Sequence, residues 1–241
     1  MAGVYLPSRF GWNLGDHMLT RCSVRFVLAI AVLTLPCLAG TIVFSNLSGP
    51  GDLYGPDGVG IGHTPAFPPI SPQFLTYATP FIPSLDSRLL TIELPIGVIS
   101  GANQASVALL SDAGGLPGAP IEFFLLSNLP TVSGPNGFPL VPLNSVLNPL
   151  LLAGQKYWIS ATGGGITFAV WNLTLFQGDP VDGGASRIDP PPQPWIVGTG
   201  TRTGALRVTA DPIPEPSSWI LGSTGFIALA AFAFRRRKPA I

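Results

Sequence analysis

Histidine and cysteine are nearly missing from this 241-residue chain, which has two of each. The cysteines, Cys22 and Cys37, both lie near the N-terminus, in a stretch expected to be removed. The body that follows therefore has no thiol, which excludes a disulfide scaffold and a cysteine-ligated metal. With His63 as its one imidazole, a zinc site or a Ser-His-Asp nucleophile has almost nothing to work with. Charge is equally scarce at 10% of residues. Between Gly40 and Ala210, five cations stand against nine anions, so the body is mildly acidic and lacks the basic stripe that nucleic acid would need.

Helix formers give way to turn formers. With 29 glycines and 27 prolines, both poor in helix interiors, the chain is punctuated throughout by breaks. Between them run short apolar or alternating segments at 41–47, 73–79, 89–97, 105–111, 121–127, 155–162, 166–172, 195–199 and 205–210. Nine strands at this spacing, with no twelve-residue helical patterns between them, predict an all-β fold: an antiparallel β-sandwich, jelly-roll-like or Ig-like. In "ASVALLS" one face takes Val107 and Leu109 and the other Ser106, Ala108 and Leu110; in "KYWISA", Tyr157 and Ile159 oppose Trp158 and Ser160. Which face points inward stays open. "SDAGGLPGAP" predicts a tight turn, with Pro117-Gly118 suited to type II, and "ATGGGIT" predicts a hairpin at Gly163–Gly165. The proline-rich stretches "HTPAFPPISP" and Gly178–Pro194 read as surface loops.

The two ends have a different character. Arg21 and Arg25 precede an apolar run from Phe26 to about Leu35, which closes on Cys37-Leu38-Ala39. That is the layout of a secretory signal, so residues 1–39 are a signal region, with Met18 a candidate true start. A lipoprotein signal ending at Cys37 is the rival, and Pro36 stands where it wants a small residue. At the other end, Pro214-Glu215-Pro216 is followed by an apolar run from Trp219 to Phe234 and then by Arg235, Arg236, Arg237 and Lys238. Sixteen residues rise about 24 Å as a helix, a marginal span for a hydrocarbon layer of roughly 30 Å. Snorkelling cations on one side and Trp219 on the other would help it, and the positive cluster would face the cytoplasm. The alternative is a C-terminal helix packed into the domain.

This three-part order resembles the PEP-CTERM sorting signal of exosortase-processed proteins in Gram-negative bacteria. The resemblance implies that Pro214, Glu215 and Pro216 are recognised by a membrane-embedded peptidase, while the helix over 219–234 and Arg235, Arg236 and Arg237 hold the chain. The expected organisation is a signal region (1–39), a β-sandwich (40–210) and a sorting signal (211–241). The partners are then signal peptidase and the translocon, an exosortase-type peptidase, the inner membrane before processing, and extracellular polysaccharide. Single-pass anchoring, body outside and C-terminus cytoplasmic, would precede delivery to the cell surface or matrix. A second resemblance, carried by "VALLSDAGGLPGAPIE", "LAGQKYWISATGG", "AVWN" and "TGALRVTA", is to the extracellular choice-of-anchor domain, R type.

No catalytic residue, metal site or cofactor is assigned. Asp52 and Asp57, and Asp179, Asp182 and Asp189, are the carboxylates a calcium ion could use, and Glu93 and Glu122 the pair a glycosidase could use. None has the required spacing or setting. The expected function is that of an exported non-enzymatic surface or matrix protein. The alternative is a secreted carbohydrate-binding module using Tyr157, Trp158, Trp171 and Trp195, if those rings stand exposed together rather than in the core.

Overall fold

The computed structural model describes residues 40–49, 51–64, 73–131, 134, 137–175, 183–189, 193–198, 202–213, 225 and 229. By contacts the chain divides into Met1–Ala39 and Gly40–Ile241. The first unit, with the expected signal region, lies outside the described residues.

The body is built from strands. In chain order they are β1 (Thr41–Ser45), β2 (Gly58–Thr64), β3 (Gln73–Phe81), β4 (Ser87–Ser100), β5 (Gln104–Asp112), β6 (Pro117–Ser127), β7 (Leu140–Asn144), β8 (Leu150–Leu151), β9 (Tyr157–Gly163), β10 (Phe168–Asn172), β11 (Ala185–Asp189), β12 (Ile196–Val197) and β13 (Arg207–Pro212). All nine expected segments contain a strand, and β2, β7, β8 and β11 are additional. Every pairing is antiparallel, and the main path runs β1-β13-β4-β10-β2-β3-β9-β5-β6.

One curled sheet replaces the two separate sheets of the expected sandwich. The cause is β4, whose 14 residues extend about 46 Å at 3.3 Å each. Its first part pairs with β13, β7 and β8, and Ile96–Ser100 pairs with β10, so the two groups of strands share a ladder. Curling brings distant members of the path together. Phe44 of β1 meets Phe81 of β3 at 5.7 Å, and Tyr77 of β3 meets Trp171 of β10 edge-on at 5.8 Å.

The inner face carries the main core: Tyr77 and Phe81, Ile92, Leu94 and Ile96, Val107 and Leu109, Tyr157 and Ile159, and Trp171. Burial of each such side chain contributes about 1.5–3 kcal/mol. A second cluster lies on the opposite face, where Trp195 and Val197 cover Ala78, Leu110, Trp158 and Ala185. Both faces of β5 and β9 are thus occupied, Val107 and Leu109 facing in and Ala108 and Leu110 facing out.

Two turns differ from expectation. The β5–β6 connection turns at Ala113–Leu116, where Gly114 and Gly115 take positive φ and Asp112 Oδ2 accepts the Gly115 N–H; Pro117 and Gly118 already belong to β6. Gly163–Gly165 makes no hairpin, because β9 pairs with β3 and β5 whereas β10 pairs with β2 and β4. The glycines carry the chain from one stretch of sheet to another. At this crossing Gly62 has φ 83°, and a Cβ there would collide with the Thr167 carbonyl and the Gly163 backbone.

Among the described residues no helix is long and apolar enough to cross a membrane. The transmembrane helix expected over 219–234 is thus not found, and nothing in the structure supports the single-pass inner-membrane anchoring built on it. Only Gly225 and Leu229 of that run are described; the remainder lies outside the described residues.

Candidate functional site

The chain leaves the body from β13, a strand held on both edges. Thr41 to Ser45 of β1 flank it on one side and Ser87 to Glu93 of β4 on the other. The last rung pairs Pro212 with Ser87, after which the Ile213 N–H donates to the Asp86 carbonyl at 2.9 Å. Asp86 also ties down the neighbouring turn, since its Oδ1 accepts the Ala153 N–H at 2.7 Å. The backbone is thus hydrogen-bonded up to Ile213. Thr41 stands opposite Ala210, so the described N-terminal segment begins beside this same exit. Pro214, Glu215, Pro216, Arg235, Arg236 and Arg237 lie outside the described residues.

The four aromatic candidates do not share a surface. Trp171 is fully buried and its indole N–H donates to the Ala205 carbonyl at 2.8 Å. Trp158 is fully buried on the opposite face, donating to Asp112 Oδ1 at 2.9 Å. Tyr157 is buried against Phe81, and its hydroxyl accepts the Leu152 N–H. Trp195 alone is half-exposed, with the Arg187 guanidinium 4.7 Å above its ring. These rings form no row on which a sugar could stack.

The acidic candidates are engaged within the protein. Asp52 and Glu93 both pair with Arg207, at 2.5 and 2.6 Å, and Asp57 pairs with Arg202 at 2.9 Å. Bonding to Glu93 outweighs desolvation and, with Asp52, raises the Arg207 pKa above its ordinary value. Glu122 is buried and accepts from Ser145 Oγ at 2.6 Å, the Val146 N–H at 2.7 Å and the Leu147 N–H at 3.1 Å. It closes a loop rather than facing Glu93. Asp189 accepts from Arg187 and Thr76, while Asp179 and Asp182 lie outside the described residues. Burial pushes Asp112 upward, but bonds from Trp158 and Gly115 and the Lys156 charge outweigh it and leave its carboxyl below the usual range. Burial pushes Tyr77 up to about 12. The His63 ring meets Phe74 edge-on at 5.1 Å, and no hydroxyl donor to its buried Nδ1 is found among the described residues. Among those residues no group of three or more His, Cys, Asp or Glu could hold a metal ion.

Sequence reasoning missed a groove of about 420 Å³ on the outer face of β11, β3, β9, β5 and β6. Thr76, Ser106, Ser160 and Thr162 floor it, with Phe123 at one side and Arg187 and Asp189 at the other. No contiguous signal marks it, since its lining is drawn from five strands.

The segment that begins where the body ends decides the comparison with known families. Residues 212–238 match the PEP-CTERM protein-sorting motif. The chain therefore bears that motif, consistent with export and sorting by an exosortase-type system. Its first two residues, Pro212 and Ile213, are the ones fastened to Ser87 and Asp86. No curated protein and no solved structure matches the chain.

Proposed function

We propose that the chain is an exported, non-enzymatic protein of the cell surface or extracellular matrix, whose C-terminal motif is read and cut by an exosortase-type peptidase. In this reading signal peptidase and the translocon act on residues 1–39, and Gly40–Ala210 is the delivered domain. Pro214, Glu215 and Pro216 are the recognition element, and Arg235, Arg236 and Arg237 complete the signal. The resemblance to the choice-of-anchor R type suits a module whose task is to be displayed.

The observation carrying this reading is the sorting motif at residues 212–238. Its placement adds physical support: the last rung among the described residues is Pro212–Ser87, so a cut at 214–216 leaves every described strand in the body. The scarcity of catalytic side chains supports a non-enzymatic role, as does the engagement of Glu93 and Glu122 in internal bonds. Replacing Pro214-Glu215-Pro216 by three alanines is expected to abolish processing in the native host, with the full-length chain accumulating on an immunoblot. Normal processing of that variant would contradict the assignment.

A further inference from the structure

The groove on the outer face has a chemistry of its own. Register sets its floor: Arg187, Thr76, Thr162 and Ser106 stand side by side across β11, β3, β9 and β5, with Ser160 and Ala108 next to them and Phe123 beyond on β6. From β11 to β6 this crosses five strands, about 19 Å at 4.8 Å per strand. Small side chains keep the floor low between higher ends. Phe123 and Leu125 stand 66% and 87% exposed on β6, whose other edge pairs with no strand among the described residues. Its volume of about 420 Å³ falls within the roughly 300–1,000 Å³ typical of ligand sites.

Three features narrow the occupant. First, the ionic groups cancel: Arg187 Nε lies 2.9 Å from Asp189 Oδ2, and the guanidinium also rests over Trp195. The lining thus offers no net charge to an anionic or cationic ligand. Second, the hydroxyls of Ser106 and Ser160 make no side-chain hydrogen bond among the described residues, although Thr76 donates to Asp189. A purely apolar occupant, such as an acyl chain, would strip water from them and give nothing back, an unfavourable exchange. Third, the exposed Phe123 ring offers an apolar flat surface at the side of this polar floor. A ligand that is neutral, carries hydroxyls along its edges and has a flat carbon-hydrogen face meets all three conditions.

We propose that this groove binds a neutral polysaccharide, with Phe123 stacking on a sugar face and Ser106 and Ser160 bonding its hydroxyls. Of the four rings named from sequence, three are buried away from this groove, and Trp195 reaches it only by lying under Arg187. The site stands apart from the sorting reading, because neither the groove nor its occupancy depends on a cut at 214–216.

Native affinity electrophoresis of the whole chain tests it, in gels cast with galactomannan, dextran or hydroxyethyl cellulose, and in parallel with acidic alginate. At least one neutral polymer is expected to retard the protein, and more strongly than alginate does. Phe123→Ala should weaken that retardation about tenfold, and Ser106→Leu, which fills the floor, should abolish it. Both positions are open enough for the fold to survive, which the unchanged circular dichroism of each variant would verify. Leu53→Ala, on a distant loop, should behave as the parent. Absence of retardation by every neutral polymer, stronger retardation by alginate, or retardation indifferent to both groove substitutions would overturn the proposal.

Discussion

The body and the tail store information in opposite ways. In the tail, residues 212–238 are read as a contiguous string, which is why the motif is recognisable without any fold. In the body, neighbouring residues along the chain serve different structures. Tyr157 enters the main core, whereas Trp158 beside it enters the second cluster and bonds Asp112. A string can be moved intact, but an arrangement drawn from distant strands cannot.

The largest expected effect follows from that contrast. Fusing residues 212–241 to an unrelated exported β-protein should convert it from unprocessed to fully processed in the same host, as read by immunoblot. Processing that required this particular body would break the distinction. In the body, by contrast, single buried positions matter. Trp171→Ala would remove a fully buried ring bonded to Ala205 and lose about 3–5 kcal/mol, seen as a large drop in the urea midpoint. Next comes Glu122→Ala, which would leave Ser145 Oγ and the Val146 and Leu147 N–H groups without their acceptor; a loss of about 1–3 kcal/mol is expected in the same measurement. A loss near zero would mean that solvent replaces the carboxylate.

The smallest effect is on pH dependence. The Asp112 pKa is lowered by folding, so its stabilising contribution is present above the ordinary value of 3.8 and disappears as pH falls through the lower folded value. Asp112→Asn should lower stability modestly at neutral pH, converge on the parent in acid and so flatten that acid limb, as followed by intrinsic tryptophan fluorescence. An unchanged acid limb would show that the indole bond does not depend on the carboxylate charge.

The same contrast explains what could be read in advance. Alternation revealed the strands whose side chains differ from face to face, such as β5 and β9. It missed β2, "GVGIGHT", because three glycines leave little to alternate, and β7, whose Pro142 argues against a strand. β11 was hidden in a stretch read as a loop, and β8 has two residues, too few for any period. The two faces of β9 were visible, but assigning them to interiors required knowing that Trp195 closes over one and Phe81 stacks within the other. Curling was not legible either, because it arises from β4 pairing with different strands along its length. The groove was hidden for the same reason: Thr76, Ser106, Ser160 and Arg187 become neighbours only through register.

Intact-mass spectrometry of the protein recovered from the envelope or medium of its native host tests the central claim most directly. The account predicts a chain beginning near Gly40 and ending close to Pro216, without the residues from Trp219 to Lys238. A recovered product that still carries Arg235, Arg236 and Arg237 would contradict it.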